Sequence, residues 1–411
     1  MKVLHLVAGD LTGGAAKGAL WLHEGLHLIG VESKVLTDSW TIGRYPDITS
    51  IADGKKGKLS CLLRRQIERM PLLIYQRQKK TIFSTGFNGY DFRKTELYRW
   101  ADIIHLHWIN GGFVDVKNLG RIDKPIVWTM RDMWPMTGGC HCSLECERYT
   151  EGCGYCEQLD SKFKYDLSSW VVTRKRKYLP RHMKLVGISD WLSNCARQSL
   201  IFKGYAIQTI YNNVNVRSFF PIDKKTARAV LGIKTDKKII LAGAEKLDDL
   251  WKGFDKYLNC LRKMDKDRYY LLFFGHVNDA DIQNLGFEYR KMGYLHDIVS
   301  LRIVYAAADV FVAPTLMDAF GKTLAESMAC GTPVVCFDAT GPKEIVDHEK
   351  TGYKAKPYDS QDLAYGIEWV LDHPMYWKFC ERARIKVEKE YDNIVIAKKY
   401  QQLYQEAKEG A

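Results

Sequence analysis

VFVAPTLMDAFGKTLAESMACGTPVVCFD, residues 310–338, is the stretch on which the fold turns. Its apolar opening, Val310–Ala313, has the composition of a buried strand and stops at Pro314. A loop, 315–321, leads into a helical segment, Lys322–Ala329. Gly331 just past that helix and Pro333 soon after are stop signals. A second strand, 333–337, closes the unit, and strand, loop, helix, strand is the grammar of a parallel α/β sheet. The loop carries Asp318, and the helix carries Glu326. Between them, the N–H groups from Gly321 to Leu324 open a helix, where unpaired donors and the helix dipole favour an anion. One short segment can therefore hold a phosphate at the helix start and a pair of hydroxyls on a carboxylate one turn further in. The same spacing is equally compatible with a turn aspartate and a solvated helix glutamate.

The chain around this stretch has 411 residues, more than one core usually serves, so two domains are expected. A hydrophobic content of 46% and an aromatic content of 12% suit a folded protein with sizeable cores. No apolar run is long enough for a transmembrane helix, and the opening MKVLHLVAGD is too short for a signal peptide. It reads as a first strand, and the protein as cytoplasmic. The net charge of +12 suits anionic partners, whether nucleotide sugars, phospholipid surfaces or nucleic acid.

Upstream, the strand 3–7 runs into a loop with Gly9, Gly13 and Gly14 and then a helix ending near Gly30. A glycine turn at a helix N-terminus allows close approach of a phosphate, although no G-x-G-x-x-G is present, and packing alone is an adequate reason for the turn. Residues 54–80 hold nine Lys or Arg and one acid, interleaved with Leu, Ile and Met. Up to Pro71 they fit an amphipathic helix, which either lies on an anionic membrane surface or presents a solvated basic face. In 103–108, IIHLHW, the strand period of two puts His105 and His107 on one face at the carboxyl end of a strand, where parallel sheets bind ligands. Further strands are expected at 32–37, 126–129, 185–189, 207–210, 238–241 and 269–274, and a long amphipathic helix, Asn393–Glu409, follows. The best linker, 217–225, carries Pro221 and a charge run.

Eleven cysteines in a chain with no export signal point to reduced thiols or a metal site. The set Cys142, Cys146, Cys153 and Cys156 has spacings a structural tetrahedral zinc could use, with Cys140 and His141 as spare ligands. Labile disulfides and free thiols are the alternatives.

Two α/β series joined near residue 220 suggest the GT-B architecture, and at MDAFGKTLAESMACGTPVV the chain resembles the E-x7-E region of retaining glycosyltransferases of family 4. Asp318 stands where that family usually has its first Glu. Glu326 matches the second Glu, Phe320-Gly321 the FG and residues 329–333 the ACGTP. Gly13-Gly14, Lys252-Gly253 and Asn212 match further family elements, and the cysteine-rich stretch is similar to a branch from surface-polysaccharide and colanic-acid-type gene sets.

The resemblance implies two Rossmann-like domains facing across a cleft: 1–216 with a cysteine-rich insertion at 138–157, completed by a C-terminal helix crossing back at 393–411, and 217–392. It implies transfer of a sugar from a nucleotide-diphosphate sugar to a glycan or lipid-linked acceptor at the inner face of the membrane. Donor contacts fall on Gly13, Gly14, Lys252, Phe320, Gly321, Lys322, Thr323 and Glu326, and acceptor contacts on His105, His107 and Trp108. Catalytic positions are Asp318, Lys252, Arg131 and Asp132, with no obligatory metal. Three departures stand out: Asp for the first Glu, Gly243-Ala244 where an Arg often follows Gly (Lys246 being the stand-in), and Arg131-Asp132 for the family's His-Asp. An Arg stays protonated and cannot act as a base. Two other readings remain: a GT-B nucleotide-sugar epimerase, and a zinc-stabilised nucleic-acid-binding protein argued from charge and cysteines. The second lacks a recognition helix or an aromatic-basic platform.

Overall fold

A computed structural model describes residues 1–39, 47–75 and 81–410 of the chain. They form two compact units, Met1–Tyr211 with Ile394–Ala411, and Asn212–Asn393. Each is a parallel sheet flanked by helices, in agreement with the α/β class expected of two Rossmann-like domains.

In the first unit the strands are β1 (Lys2–Val7), β2 (Glu32–Thr37), β3 (Ile48–Ser50), β4 (Ile103–Leu106), β5 (Ile126–Met130), β6 (Lys184–Gly187) and β7 (Ile207–Thr209). Their order is β3-β2-β1-β4-β5-β6-β7, with every pairing parallel. β1, β4 and β5 are almost wholly buried, as strands covered on both faces should be. The helix Asn393–Glu409 belongs to this unit's core: Ile396, Tyr400, Leu403 and Tyr404 pack with Val3, Ile103, Val127 and Val186.

The second unit holds β8 (Lys238–Lys246), β9 (Tyr269–His276), β10 (Glu288–Lys291), β11 (Val310–Ala313), β12 (Val334–Phe337) and β13 (Gly352–Ala355), in the order β10-β9-β8-β11-β12-β13. The helix Lys322–Ala329 follows β11 and leads into β12, as the sequence predicts. Three strands were not foreseen. β3 and β10 are short and half polar, and β13 begins with a glycine, so none carries a full apolar run. β8 runs five residues past its expected end through an irregularity between Gly243 and Lys246, and Lys246, the stand-in for the family's arginine, is exposed there.

Candidate functional site

In the second unit the loop after β11 is fastened to the turn carrying Lys252. The Trp251 carbonyl accepts from the Leu316 amide at 2.8 Å and from the Thr315 hydroxyl at 2.9 Å. Gly253 makes this fit possible. Its φ is 63°, and a Cβ there would lie 2.1 Å from the Pro314 carbonyl oxygen. The result is an ion pair between Lys252 Nζ and Asp318 Oδ2 at 2.9 Å, each side chain about a quarter exposed. The other oxygen, Oδ1, accepts from the Phe320 and Gly321 amides at 3.2 and 3.0 Å. Although burial opposes it, the neighbouring Lys252 ammonium and these two amides hold the Asp318 carboxyl below its usual range.

Gly321, with φ 97°, is the N-cap of the helix Lys322–Ala329. Lys322 and Thr323 are half-buried in its first turn, and no acidic residue lies there. Helix start, cation and glycine thus converge, and an anion is the ligand such a corner suits. Glu326 is 4% exposed, and its Oε2 accepts from the Tyr305 hydroxyl at 3.0 Å. It is therefore no solvated helix residue but a buried acid oriented by a tyrosine.

In the first unit the glycine turn lies after β1. Gly13 caps the helix Gly14–Leu28, and a Cβ on Gly13 or Gly14 would meet nothing within 4 Å. That face of the turn is open.

The two histidines share a face, as the strand period requires, but the face is covered. His105 is 0% exposed, with Nδ1 at 2.6 Å from the Tyr404 hydroxyl and Nε2 at 2.8 Å from Thr129 Oγ1. His107 is also buried. Its Nδ1 accepts from Arg131 Nη2 at 3.2 Å and its Nε2 lies 2.9 Å from His5 Nδ1. Burial holds all three imidazoles well below their ordinary pKa, hence neutral. His105, expected to contact the acceptor, is thus closed in by Tyr404 of the helix Asn393–Glu409, remote in sequence, and His107 by His5 and Arg131. Arg131 is buried with them, so it faces this network, and burial lowers its pKa.

Trp108 and Asp132 fare differently. Trp108 lines a cavity of about 670 Å³ together with Asp10, Asp38, Arg65, Glu68 and Ser84. Trp108 Nε1 donates to Asp132 Oδ2 at 2.9 Å, and the same oxygen lies 2.6 Å from His141 Nδ1. With Nδ1–H on the carboxylate, His141 Nε2 accepts from the Ser84 hydroxyl at 2.9 Å. A Ser84–His141–Asp132 relay thus ends at the cavity wall. The sequence singles out Asp132 and His141 for other roles but gives no sign that they meet Ser84, which comes from a distant loop. Glu68 was also missed. It is buried with Oε1 on the Thr85 and Gly86 amides, at 2.8 and 2.7 Å, while Oε2 has no partner. Burial raises its pKa.

The zinc quartet is not assembled. Among the described residues the groups of three potential ligands within 4.8 Å are His5, His105, His107 and His23, His27, Asp47, and neither includes a cysteine. The loop that carries these cysteines is irregular, with Leu144, Cys153 and Tyr155 all at positive φ. Burial, then the Cys156 and Cys146 neighbours among others, pushes the Cys153 thiol up to about 12. The histidine trio is an unpromising metal site, since the Arg131 guanidinium already occupies the Nδ1 lone pair of His107.

Comparison with known proteins bears on both units. Residues 223–390, within the second unit, match the family Glycosyl transferases group 1. The N,N'-diacetylbacillosaminyl-diphospho-undecaprenol alpha-1,3-N-acetylgalactosaminyltransferase of Campylobacter jejuni is 26% identical over 46% of this chain and 52% of its own length. The chain spans 52–55% of the length of the first curated relatives it matches, all named as glycosyltransferases or a glucosaminyl malate synthase. Among solved structures, sucrose-phosphate synthase from Thermosynechococcus elongatus aligns over 100% of both chains with a TM-score of 0.72 at 19% identity. Anabaena HepE, solved with UDP-glucose, aligns over 99% of this chain and 100% of its own with a TM-score of 0.64 at 16% identity. At these identities the structural likeness shows the fold.

Proposed function

We propose that the protein is a hexosyltransferase that moves a sugar from a nucleoside-diphosphate sugar to a glycan or lipid-linked glycan acceptor, with retention, in the assembly of a surface polysaccharide. The observation that carries this reading is the Lys252–Asp318 pair set 2.9 Å apart beside the start of the helix Lys322–Ala329. When a sugar–diphosphate bond breaks, positive charge grows on the anomeric carbon and negative charge on the phosphate oxygens. Lys252 and the amides beyond Gly321 meet the growing negative charge, and a cation fixed in advance stabilises the transition state more than the ground state. Asp318 holds Lys252 in place and presents its carboxylate to the donor sugar. Glu326 takes the ribose hydroxyls.

The acceptor enters the cavity of the first unit. Trp108 offers a sugar an aromatic face, and Glu68 Oε2 an acceptor for a hydroxyl. Arg65 already donates to Asp38 Oδ2 at 3.0 Å, and the pair gives this wall both signs of charge. Arg131, with its guanidinium on His107, is a buried support in this reading, whereas Asp132 acts through Trp108 and His141 at the cavity wall. The Campylobacter relative, whose name carries a diphospho-undecaprenol acceptor, supports a lipid-linked substrate, and HepE with UDP-glucose supports a nucleotide-sugar donor. The metal-free reaction rests on the lysine and helix start together serving as the charge acceptor.

A screen of UDP-, GDP- and ADP-sugars by thermal shift and slow hydrolysis tests the proposal. One nucleotide class should stabilise the protein and release its diphosphate, unchanged by a chelator, and proton NMR of the product should show the donor's anomeric configuration. If no nucleotide sugar binds while a nucleic acid does, the reading is wrong.

A further inference from the structure

The helix Gly54–Arg69 is built inside out. The residues it turns toward its own unit are Cys61, Arg64, Arg65 and Glu68, spaced i, i+3, i+4, i+7 on one face. They are tied down by polar bonds: Arg64 Nε to the Gly112 carbonyl at 3.1 Å, Arg65 to Asp38, and Glu68 to the Thr85 and Gly86 amides. The opposite face carries Leu59, Leu62, Leu63 and Ile67, and the following turn adds Met70, Leu73 and Ile74. All are exposed, Leu73 by 75% and Ile74 by 80%. An amphipathic helix on a globular protein normally turns its apolar stripe inward. Here that stripe is continuous over five turns of chain and points out, which marks an interaction surface.

Charge identifies the occupant. Lys55, Lys56 and Lys58 at the start of the helix and Arg69 at its end are exposed beside the stripe. A basic helix with an outward apolar face is the form that lies in the plane of an anionic bilayer, its leucines among the acyl chains and its lysines at the phosphates. Arg69, Leu72 and Leu73 also line the cavity that holds Trp108 and Glu68, so the stripe and the cavity mouth are one continuous surface. We propose that the helix Gly54–Arg69 and the turn Met70–Ile74 dock this protein on an anionic phospholipid bilayer, bringing the cavity mouth to the membrane surface. That the cavity then receives its acceptor from the lipid phase rests on the glycosyl-transfer reading, whereas the docking does not.

Sedimentation of the full chain with phosphatidylglycerol-containing vesicles, and with phosphatidylcholine vesicles, tests it. The chain should pellet with the first and remain largely in solution with the second, and added salt should release it. The paired substitutions Leu62→Glu and Leu63→Glu, on exposed positions, should lower vesicle affinity by at least about tenfold. Lys55→Glu, Lys56→Glu and Lys58→Glu together should do the same. Tyr365→Glu, at an exposed aromatic on the other unit, should change nothing. Nucleotide-sugar affinity read on the same variants should stay level, so failure of docking and failure of the transfer reading separate. The inference is overturned if the chain ignores anionic vesicles, if the Leu62 and Leu63 substitutions leave binding intact, or if the stripe instead drives a dimer that these substitutions dissociate.

Discussion

Removing the ammonium of Lys252 is the most direct perturbation of the proposed chemistry. In the structure it lies 2.9 Å from Asp318 Oδ2 and is about a quarter exposed, so its charge is partly screened. At an effective dielectric suited to such a site, a unit charge about 4 Å from a phosphate oxygen interacts with about 4 kcal/mol. Only the part that grows as the bond breaks accelerates the reaction, and loss of one such donor typically costs about 10²–10³ in kcat. Lys252→Ala should therefore lower kcat by about that factor, measured as diphosphate release under single turnover, while the thermal midpoint moves little. Lys252→Arg should recover part of the loss. Asp318→Asn adds the discriminating arm, because the carboxamide keeps an acceptor for the Phe320 and Gly321 amides but releases the lysine. If Asp318 faces the sugar, kcat falls while donor affinity holds or improves. Retention of kcat by Lys252→Ala to within about threefold would refute the assignment of Lys252 as the charge acceptor.

Glu326→Ala should weaken nucleotide-sugar binding by about tenfold or more through loss of the ribose contact, and unchanged affinity in calorimetry would sink that role. Gly253→Ala should destabilise the second unit by about 3 kcal/mol or more in urea unfolding, because its Cβ would sit 2.1 Å from the Pro314 oxygen. Tyr404→Phe removes the partner of His105 Nδ1 in a buried network and should cost about 1–3 kcal/mol of stability; a neutral result would mean that His105 finds another partner. Lys175 supplies a pH test. Burial lowers its pKa to about 7, against an ordinary value of 10.5, and its ammonium donates to the Thr137 carbonyl at 2.9 Å. Between these two values the unfolded chain holds the extra proton, so stability rises with pH. Relative to Lys175→Met, the native protein should gain about 2 kcal/mol from pH 7 to pH 9 and nothing from pH 5 to pH 6.

The strand–loop–helix–strand at 310–337 is legible in the sequence because each piece is locally determined: apolar runs for β11 and β12, and Gly and Pro as punctuation. The pairing of Lys252 with Asp318 is not local, and only the family likeness brought both into one site. His105 and His107 show the limit of periodicity. It fixes which residues share a face but not what covers that face, and here the cover comes from nearly three hundred positions away in the chain. The amphipathic pattern before Pro71 was likewise readable, but not which side of the helix faces its unit, since that depends on Gly112, Asp38 and Thr85 supplying polar partners. Residues 76–80 of the basic stretch lie outside the described residues. The Cys142, Cys146, Cys153 and Cys156 spacing is a one-dimensional rule, and no three of these sulfurs lie within 4.8 Å of one another.

The helix Asn393–Glu409 has a consequence for the order of assembly. Its tyrosines satisfy His105 and bond to Thr129, yet the whole second unit is synthesised before it. The second unit, continuous in sequence, can close once its helices Ser360–Asp372 and Tyr376–Glu390 have emerged to complete its core. The first must wait with an open apolar trough beside β1, β4 and β5 until this helix arrives. During translation, the half that starts first finishes last.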